Sequence, residues 1–195
     1  MEVKYRSCFL KLLAGKALAA LGFVEMIRLD DVFAELGGFA LVEPARLSEF
    51  LQGKAHDQDL LTQFTTTELG ERVLKEGIVI PLLGVTPGFY RLIVRQASEP
   101  SIIEKSQVTS RGWVLGTISG KLILCGLGYL TQWDAELSTH HRFELEPGWY
   151  EVEIQARLLE ATEGSEEGVY ELILTKVPEK PEFAASTTQS LSLLD

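Results

Sequence analysis

Helical and then alternating patterns of apolar residues succeed one another along the chain. Over residues 7–21, Leu10, Leu13, Ala14, Ala17, Leu18 and Leu21 fall at helical spacing while Lys11 and Lys16 lie off that stripe, which predicts an amphipathic helix closed by Gly22. The stretch Phe23 to Phe33 fits a short strand or a second helix. Over Asp30 to Leu36 a helix is expected, because Asp30 is a natural cap and Gly37-Gly38 a natural stop. From Gly38 the period changes. Phe39 to Val42 is a short apolar run closed by Glu43-Pro44 and predicts a strand, after which Ala45 to Leu51 returns to helical spacing. Residues 53–68 are polar and weakly patterned, with His56 and the run Thr65-Thr66-Thr67, and read as a surface loop with at most a helical turn.

Beyond Gly77 the pattern is that of strands. Gly77 to Gly84, the turn Thr86-Pro87-Gly88 and the strand Phe89 to Arg95 together predict a β-hairpin. Trp113–Ile118, Lys121–Cys125, Arg142–Leu145, Trp149–Leu159 and Val169–Val177 supply further strands, with Ser119-Gly120 and Glu146-Pro147-Gly148 as turns between neighbours. Tyr90, Leu92, Val94, Tyr150, Val152, Ile154, Tyr170, Leu172 and Leu174 occupy the apolar side of alternating strands and are expected to share one core. The fold class is therefore mainly β within α+β: an antiparallel β-sandwich or partly open barrel. An N-terminal helical segment covers 1–36, the β-rich domain 37–177, and a flexible tail rich in Pro, Ser and Thr 178–195.

Some segments look alike. Gly38-Phe39-Ala40-Leu41-Val42-Glu43 with Leu47 and Phe50 resembles Gly120-Lys121-Leu122-Ile123-Leu124-Cys125 with Leu130 and Trp133. Pro87-Gly88-Phe89-Tyr90 likewise resembles Pro147-Gly148-Trp149-Tyr150, each opening a strand. Any Pro-Gly turn before an alternating strand gives such a pattern, and so does an internal duplication. A duplication would place the paired strands at related positions of one sandwich or barrel.

The length of 195 residues suits one main core, and a 46% hydrophobic content excludes a disordered chain. Cys8 and Cys125 are far apart, each within an apolar run, so both are expected as small buried hydrophobes without disulfide or zinc partners. Lys4 and Arg6 before an apolar run resemble the start of an export signal, but Lys11 and Lys16 interrupt that run, which favours a packed helix and a cytoplasmic protein. No stretch reaches the about 20 uninterrupted apolar residues of a membrane span.

The net charge of −10 is unevenly distributed: residues 1–133 hold 14 acidic and 14 basic residues, whereas 134–182 hold 13 acidic and 4 basic. Phosphate contacts need clustered Lys and Arg, so nucleic acid is not an expected ligand. Glu151 and Glu153 point to the wet side of the strand from Trp149. Glu144 and Glu146 precede it, and Glu160, Glu163, Glu166 and Glu167 follow, giving either a solubilising surface or a docking face for a basic protein partner.

Other chemistry is sparser. His140-His141 is the only histidine pair, and adjacent strand residues face opposite ways, which argues for an exposed loop over a metal site despite Asp134 and Glu136 nearby. Trp113, Tyr129 and Trp149, with Phe89, fit a ligand platform or a sandwich core. Nucleophile-elbow, phosphate-loop, dinucleotide and zinc-protease motifs are absent, so neither a catalytic residue nor a cofactor is expected. The alternative is a small hydrolase or ligand-binding protein with a pocket near His140, His141 and the aromatic residues.

The run Arg142-Phe143-Glu144-Leu145-Glu146-Pro147-Gly148-Trp149-Tyr150-Glu151-Val152, a polar loop, and then Val169-Tyr170-Glu171-Leu172-Ile173-Leu174 resembles the end of the competence protein J family. Those are small bacterial β-sandwich proteins whose named role is inhibition of a DNA-entry nuclease. The resemblance covers about 35 residues and leaves the N-terminal region without a counterpart. It implies a non-catalytic, immunity-type or inhibitor protein that occupies a basic cleft.

Overall fold

A strand with Tyr, Leu, Val and Ile at every second position gains stability only by turning that side onto a second apolar layer. The computed structural model of the chain describes residues 26–160 and 166–194, so the helix expected over 7–21 and Cys8 lie outside the described residues. The strands are β1 Ile27–Phe33, β2 Gly38–Val42, β3 Val79–Leu83, β4 Phe89–Gln96, β5 Val108–Thr117, β6 Lys121–Gly126, β7 His141–Glu144, β8 Gly148–Glu160 and β9 Glu166–Val177. Five form a large sheet in the order β1-β4-β9-β8-β5, and four form a small one, β3-β2-β6-β7. All nine residues expected to share a core do so, joined between the sheets by Phe39, Leu41, Leu122 and Leu124. Tyr90, Tyr170 and Phe39 meet edge to face there, with ring centroids 5.4–6.1 Å apart.

The outer side of the small sheet is covered by helices α1 Pro44–Phe50, α2 Leu60–Thr66 and α3 Leu69–Lys75 and by a 3-10 turn, Leu127–Leu130. Ala40, Val42, Ile123 and Cys125 meet Leu47, Leu60, Val73 and Trp133 in this second core. Helices α2 and α3 replace much of the loop expected over 53–68. The polar residues there support a helix: the Asp59 carboxylate accepts from Thr62 N at 2.9 Å, and the hydroxyls of Thr65, Thr66 and Thr67 donate to carbonyls four residues upstream. Among the described residues no helix is long and apolar enough to cross a membrane.

Other expectations are corrected by strand pairing. Asp30 does not cap a helix; it lies in β1, 2.7 Å from Arg91 Nε and 2.9 Å from Arg28 Nε, and Asp30–Phe33 continues the strand against β4. The segments around Pro87 do not form a hairpin, because β3 pairs with β2 while β4 pairs with β1 and β9. The links at Ser119-Gly120 and Glu146-Pro147-Gly148 also pass from one sheet to the other. Alternation fixes which side of a strand is buried and leaves its partner open.

The chain traces the same path twice. Strands β1–β4 start at an edge of the large sheet, cross to an inner and then an outer strand of the small sheet, and return beside β9; β5–β8 do the same on the other side of β9. Both edge strands carry a bulge, between Leu29 and Val32 in β1 and between Ser110 and Trp113 in β5. Each bulge holds one residue at positive φ, Asp31 at 56° and Gly112 at 83°. Tyr90 and Tyr150 each donate their hydroxyl to the carbonyl four residues upstream, Thr86 at 2.8 Å and Glu146 at 2.5 Å. The similarity of the two Pro-Gly-aromatic-Tyr segments is thus a similarity of place. The alignment of β2 with β6 shifts by one residue, because Phe39 and Leu41 face the inter-sheet core with Leu122 and Leu124, whereas Ala40 faces the helices. The repeat also explains why the large sheet is not purely antiparallel. Strands β4 and β8 run in opposite directions on either side of β9, so β9 must be parallel to one of them, and it is parallel to β4.

The C-terminal segment, expected to fray, straps the open side of the sandwich. Ala184 N donates to Gly112 O at 3.0 Å, Leu191 N to Leu83 O at 2.8 Å and Gln189 Nε2 to Thr109 O at 2.9 Å, while Tyr170 Oη donates to Leu191 O at 2.8 Å. Phe183 packs on Trp113 with centroids 5.9 Å apart, and Leu191 is buried. These contacts join β3 of the small sheet to β5 and β9 of the large one. Replacing Leu191 by Ala is therefore expected to lower stability by about 2 kcal/mol, at the low end for a buried leucine because the site lies at the rim of the core. Urea denaturation checks this, and a change below about 0.5 kcal/mol would mean that the strap does not hold the fold together.

Candidate partner-binding surface

Strands β8 and β9 pair along their whole length, from Trp149 opposite Val177 to Glu160 opposite Glu166. Tyr150, Val152, Ile154 and Ala156 point inward from β8, and Glu151, Glu153, Gln155 and Arg157 lie on the outer side. That outer side is not uniformly wet. Ile93 and Val169 are buried there beneath Ile103 of the β4–β5 connection, together with Leu159.

The connection is anchored by a carboxylate that sequence reasoning passed over. Glu171 is fully buried and accepts from Arg95 Nε at 2.9 Å, Ser101 Oγ at 2.7 Å, Ile102 N at 2.8 Å and Ile103 N at 3.3 Å. A second buried carboxylate, Glu43, takes hydrogen bonds from Arg46 N, Thr117 Oγ1, Ile118 N, and both the N–H and hydroxyl of Ser119, tying the β5–β6 link to the start of α1. The available signal for Glu43 was its place before Pro44 at the head of a helix. For Glu171 it was a charge inside an otherwise apolar strand.

The residues expected to form one acidic face separate into groups. Glu144 is exposed on β7 of the small sheet, and Glu146 lies in the β7–β8 link, 2.7 Å from Lys176 Nζ. Glu151 is exposed on the large sheet; Glu153 is paired with Arg111 at 2.8 Å, and Arg111, aided by Gln155, holds its carboxyl below the usual range. Glu160, Glu166 and Glu167 lie at the far end of the hairpin, and Glu163 falls outside the described residues. Glu160 lies nine steps of strand beyond Glu151, about 30 Å at the usual rise, so the two ends cannot act as one patch. At the far end Glu167 is paired with Arg91 at 2.8 Å. Glu160 and Glu166 are exposed, stand directly opposite one another, and form no ion pair among the described residues. They edge an open groove of about 840 Å³ whose lining includes Ile102, Glu104, Lys105, Arg157, Leu158 and Leu159.

The aromatic residues expected as a ligand platform are not brought together. Trp113 is buried between the sheets and donates Nε1–H to Ser110 Oγ at 3.0 Å. Tyr129 packs among the helices, edge-on to His140. Trp149 is half-buried at the start of β8 under the Arg46 guanidinium.

His140 is buried, stacked on Trp133 with centroids 5.5 Å apart, and its Nε2 lies 2.8 Å from the Asp134 carbonyl oxygen. Burial lowers its pKa from the ordinary histidine value, against the raising effect of that carbonyl contact. It lies inside the packing, contrary to the exposed loop expected, and its contact with Asp134 is to the backbone. Among the described residues no three His, Cys, Asp or Glu side chains gather to hold a metal ion. Cys125 is buried, and burial, with Glu35 adding to it, pushes its thiol up to about 12, so it stays a neutral thiol at physiological pH.

No family model and no curated protein matches the chain. Similar solved structures include one described as crocagin biosynthetic gene J, with 16% sequence identity and a TM-score of 0.43 over 76% of this chain and 94% of that one. They also include ComJ from Bacillus subtilis, inhibitor of the DNA-degrading activity of NucA, with 9% identity and a TM-score of 0.45 over 79% of this chain and 96% of that one.

Proposed function

We propose that the chain is a non-catalytic protein-binding module, of the inhibitor or immunity type, that holds a basic partner at the acidic end of the β8–β9 hairpin. The observation that carries this reading is the direct opposition of Glu160 and Glu166, two exposed carboxylates on paired strands with no ion pair among the described residues. Like charges placed opposite each other cost stability, and a cationic side chain between them removes that cost. Leu158 and Leu159 in the lining of the groove beside them offer apolar surface for the stem of a Lys or Arg. Glu104 adds negative charge at its edge, against the positive charges of Lys105 and Arg157 there. ComJ is an inhibitor of another protein's activity, and a role of that kind is what we propose here.

Binding through exposed charge is fast and salt-sensitive, because the Debye length falls from about 10 Å at 0.1 M to about 3 Å at 1 M. The immobilised chain is expected to retain a basic protein from cell extract at about 0.1 M salt and to release it at about 1 M. Replacing Glu160 and Glu166 together by Lys should reduce retention at least about tenfold without loss of fold, since both side chains are exposed. Equal retention by the charge-reversed chain would assign these residues to solubility alone.

A further inference from the structure

One cationic site stands apart from the acidic hairpin end. Arg46 of α1 is half-buried, yet its side chain has neither a hydrogen bond nor an ion pair among the described residues. Its guanidinium lies over the Trp149 ring, 4.5 Å from the centroid. The stack rests on Gly116 of β5, where an added Cβ would come within 1.8 Å of Arg46 Nη1 and 2.4 Å of the Trp149 ring. Glycine is therefore what lets the arginine and indole lie against the strand. Nearby, Arg72 of α3 stacks on Phe50 of α1 at 4.9 Å, also without a side-chain hydrogen bond among the described residues. The two guanidinium groups line an open cavity of about 480 Å³, together with Glu49, Lys75, Glu76 and Ile78.

The charges in this cavity are largely assigned. Lys75 is paired with Glu71 at 2.5 Å and Glu76 with Lys180 at 2.9 Å. Arg46 and Arg72 have no such pair among the described residues, although Glu76, Glu43 and Glu49 all act on Arg46 through space. A guanidinium covered on its face by an aromatic ring keeps its edge N–H groups in one plane, a geometry that grips a carboxylate through two parallel hydrogen bonds. With those carboxylates close by, a singly charged carboxylate meets less repulsion than a phosphate dianion. Phe50 and Ile78 provide apolar surface beside the charged edge.

We propose that this cavity binds an organic monocarboxylate, its carboxylate held by the Arg46 and Arg72 forks and its apolar body laid against Phe50 and Ile78. The carboxylate is that of a free organic acid or the C-terminal carboxylate of a peptide, which present the same chemistry. The site does not depend on the acidic hairpin end and stands or falls separately from it.

The test is a titration of the full chain followed by Trp149 fluorescence and by the Nε–H NMR signals of Arg46 and Arg72. The probes are N-acetylphenylalanine, a tripeptide ending in phenylalanine, the C-terminal amide of each, and inorganic phosphate. Saturable binding of an acid is expected, with Kd of about 1 mM or below. The amides should bind at least about tenfold more weakly, and both Arg Nε–H signals should move with the acids only. Arg46→Gln and Arg72→Gln should each weaken binding about tenfold, and Arg46→Lys, which keeps the charge and loses the fork, should weaken it as well. Tighter binding of the tripeptide identifies a chain terminus as the source, and tighter binding of the amino acid derivative a small molecule. Acid and amide binding alike, phosphate binding as well as the acids, or no saturation by about 10 mM would each overturn the proposal. Should a Gln variant fail to fold, Arg Nε–H signals of the unsubstituted chain that stay still while acid binds would overturn it equally.

Discussion

Replacing Glu171 by Ala is expected to destabilise the protein by about 3–5 kcal/mol, the range for removing one partner of a buried ion pair. Glu171 and Arg95 are 0% and 6% exposed, and the N–O distance is 2.9 Å, so the arginine would be left charged in a site closed to water. Arg95 Nη1 would retain its bonds to the carbonyl oxygens of Gln96 and Glu99, which solvate part of the charge without neutralising it. The Ile102 N–H would lose its acceptor, and the Ser101 hydroxyl and Ile103 N–H would keep only their bonds to each other's residue, loosening the connection that covers Ile93 and Val169. Urea denaturation gives the total cost, and faster amide exchange at Ile102 and Ile103 localises it. Replacing Glu171 and Arg95 together by Leu and Met should cost at least about 2 kcal/mol less than the sum of the two single changes. A cost below about 1 kcal/mol for Glu171→Ala would mean that the pair is far more hydrated than its burial implies.

Truncating Tyr150 to Ala is expected to cost about 3–4 kcal/mol, as for other buried aromatic residues. Its ring is fully buried in the inter-sheet core, where partial collapse leaves a cavity. Tyr150→Phe keeps the ring and removes only the hydroxyl bond to Glu146 O, so about 1 kcal/mol should be lost. Tyr90→Phe breaks the corresponding bond to Thr86 O at the matching place of the other repeat and should cost a similar amount. Thermal or urea unfolding of the three variants checks both expectations. Costs for the two Phe variants differing by more than about 1 kcal/mol would mean that the two corners, alike in geometry, are not alike in energy.

The parts of this fold legible in the sequence are those governed by local alternation. Tyr150, Val152 and Ile154, or Tyr170, Leu172 and Leu174, declare a buried side through their period, and every one of them is in the core. Strand partners were not legible in this way. The Pro87 link reads as a hairpin turn because Phe89–Arg95 follows an apolar run, yet nothing local says that Leu82 and Leu92 belong to different sheets. Helix α2 was obscured by its threonines, which read as strand or loop residues until their hydroxyls are seen bonding back along the helix. The C-terminal strap was obscured by composition: Pro, Ser and Thr supply seven of its eighteen residues, while Phe183 and Leu191, which hold it down, follow no period.

Charge was legible as a total and not as a surface. Thirteen acidic residues over 134–182 predict negative potential somewhere on this half of the chain. Which of them stay free depends on cations distant in sequence: Arg91 for Glu167, Arg111 for Glu153 and Lys176 for Glu146. The cation–aromatic stack of Arg46 and Trp149 depends likewise on residues about a hundred positions apart. The sequence does mark Trp149 as an aromatic of interest, but its partner appears only once Arg46 of α1 lies against the start of β8.

The claim most exposed to test is that the hairpin end at Glu160 and Glu166 is where a basic protein binds. A photo-crosslinking side chain placed at Glu166, and in a separate chain at Thr62 on the exposed side of α2, reads this directly in cell extract. At about 0.1 M salt a covalent adduct with a basic protein is expected from position 166 and none from position 62, disappearing at about 1 M salt. Adducts of equal yield from both positions, an adduct from 166 that persists at high salt, or none from 166 at any salt would contradict it.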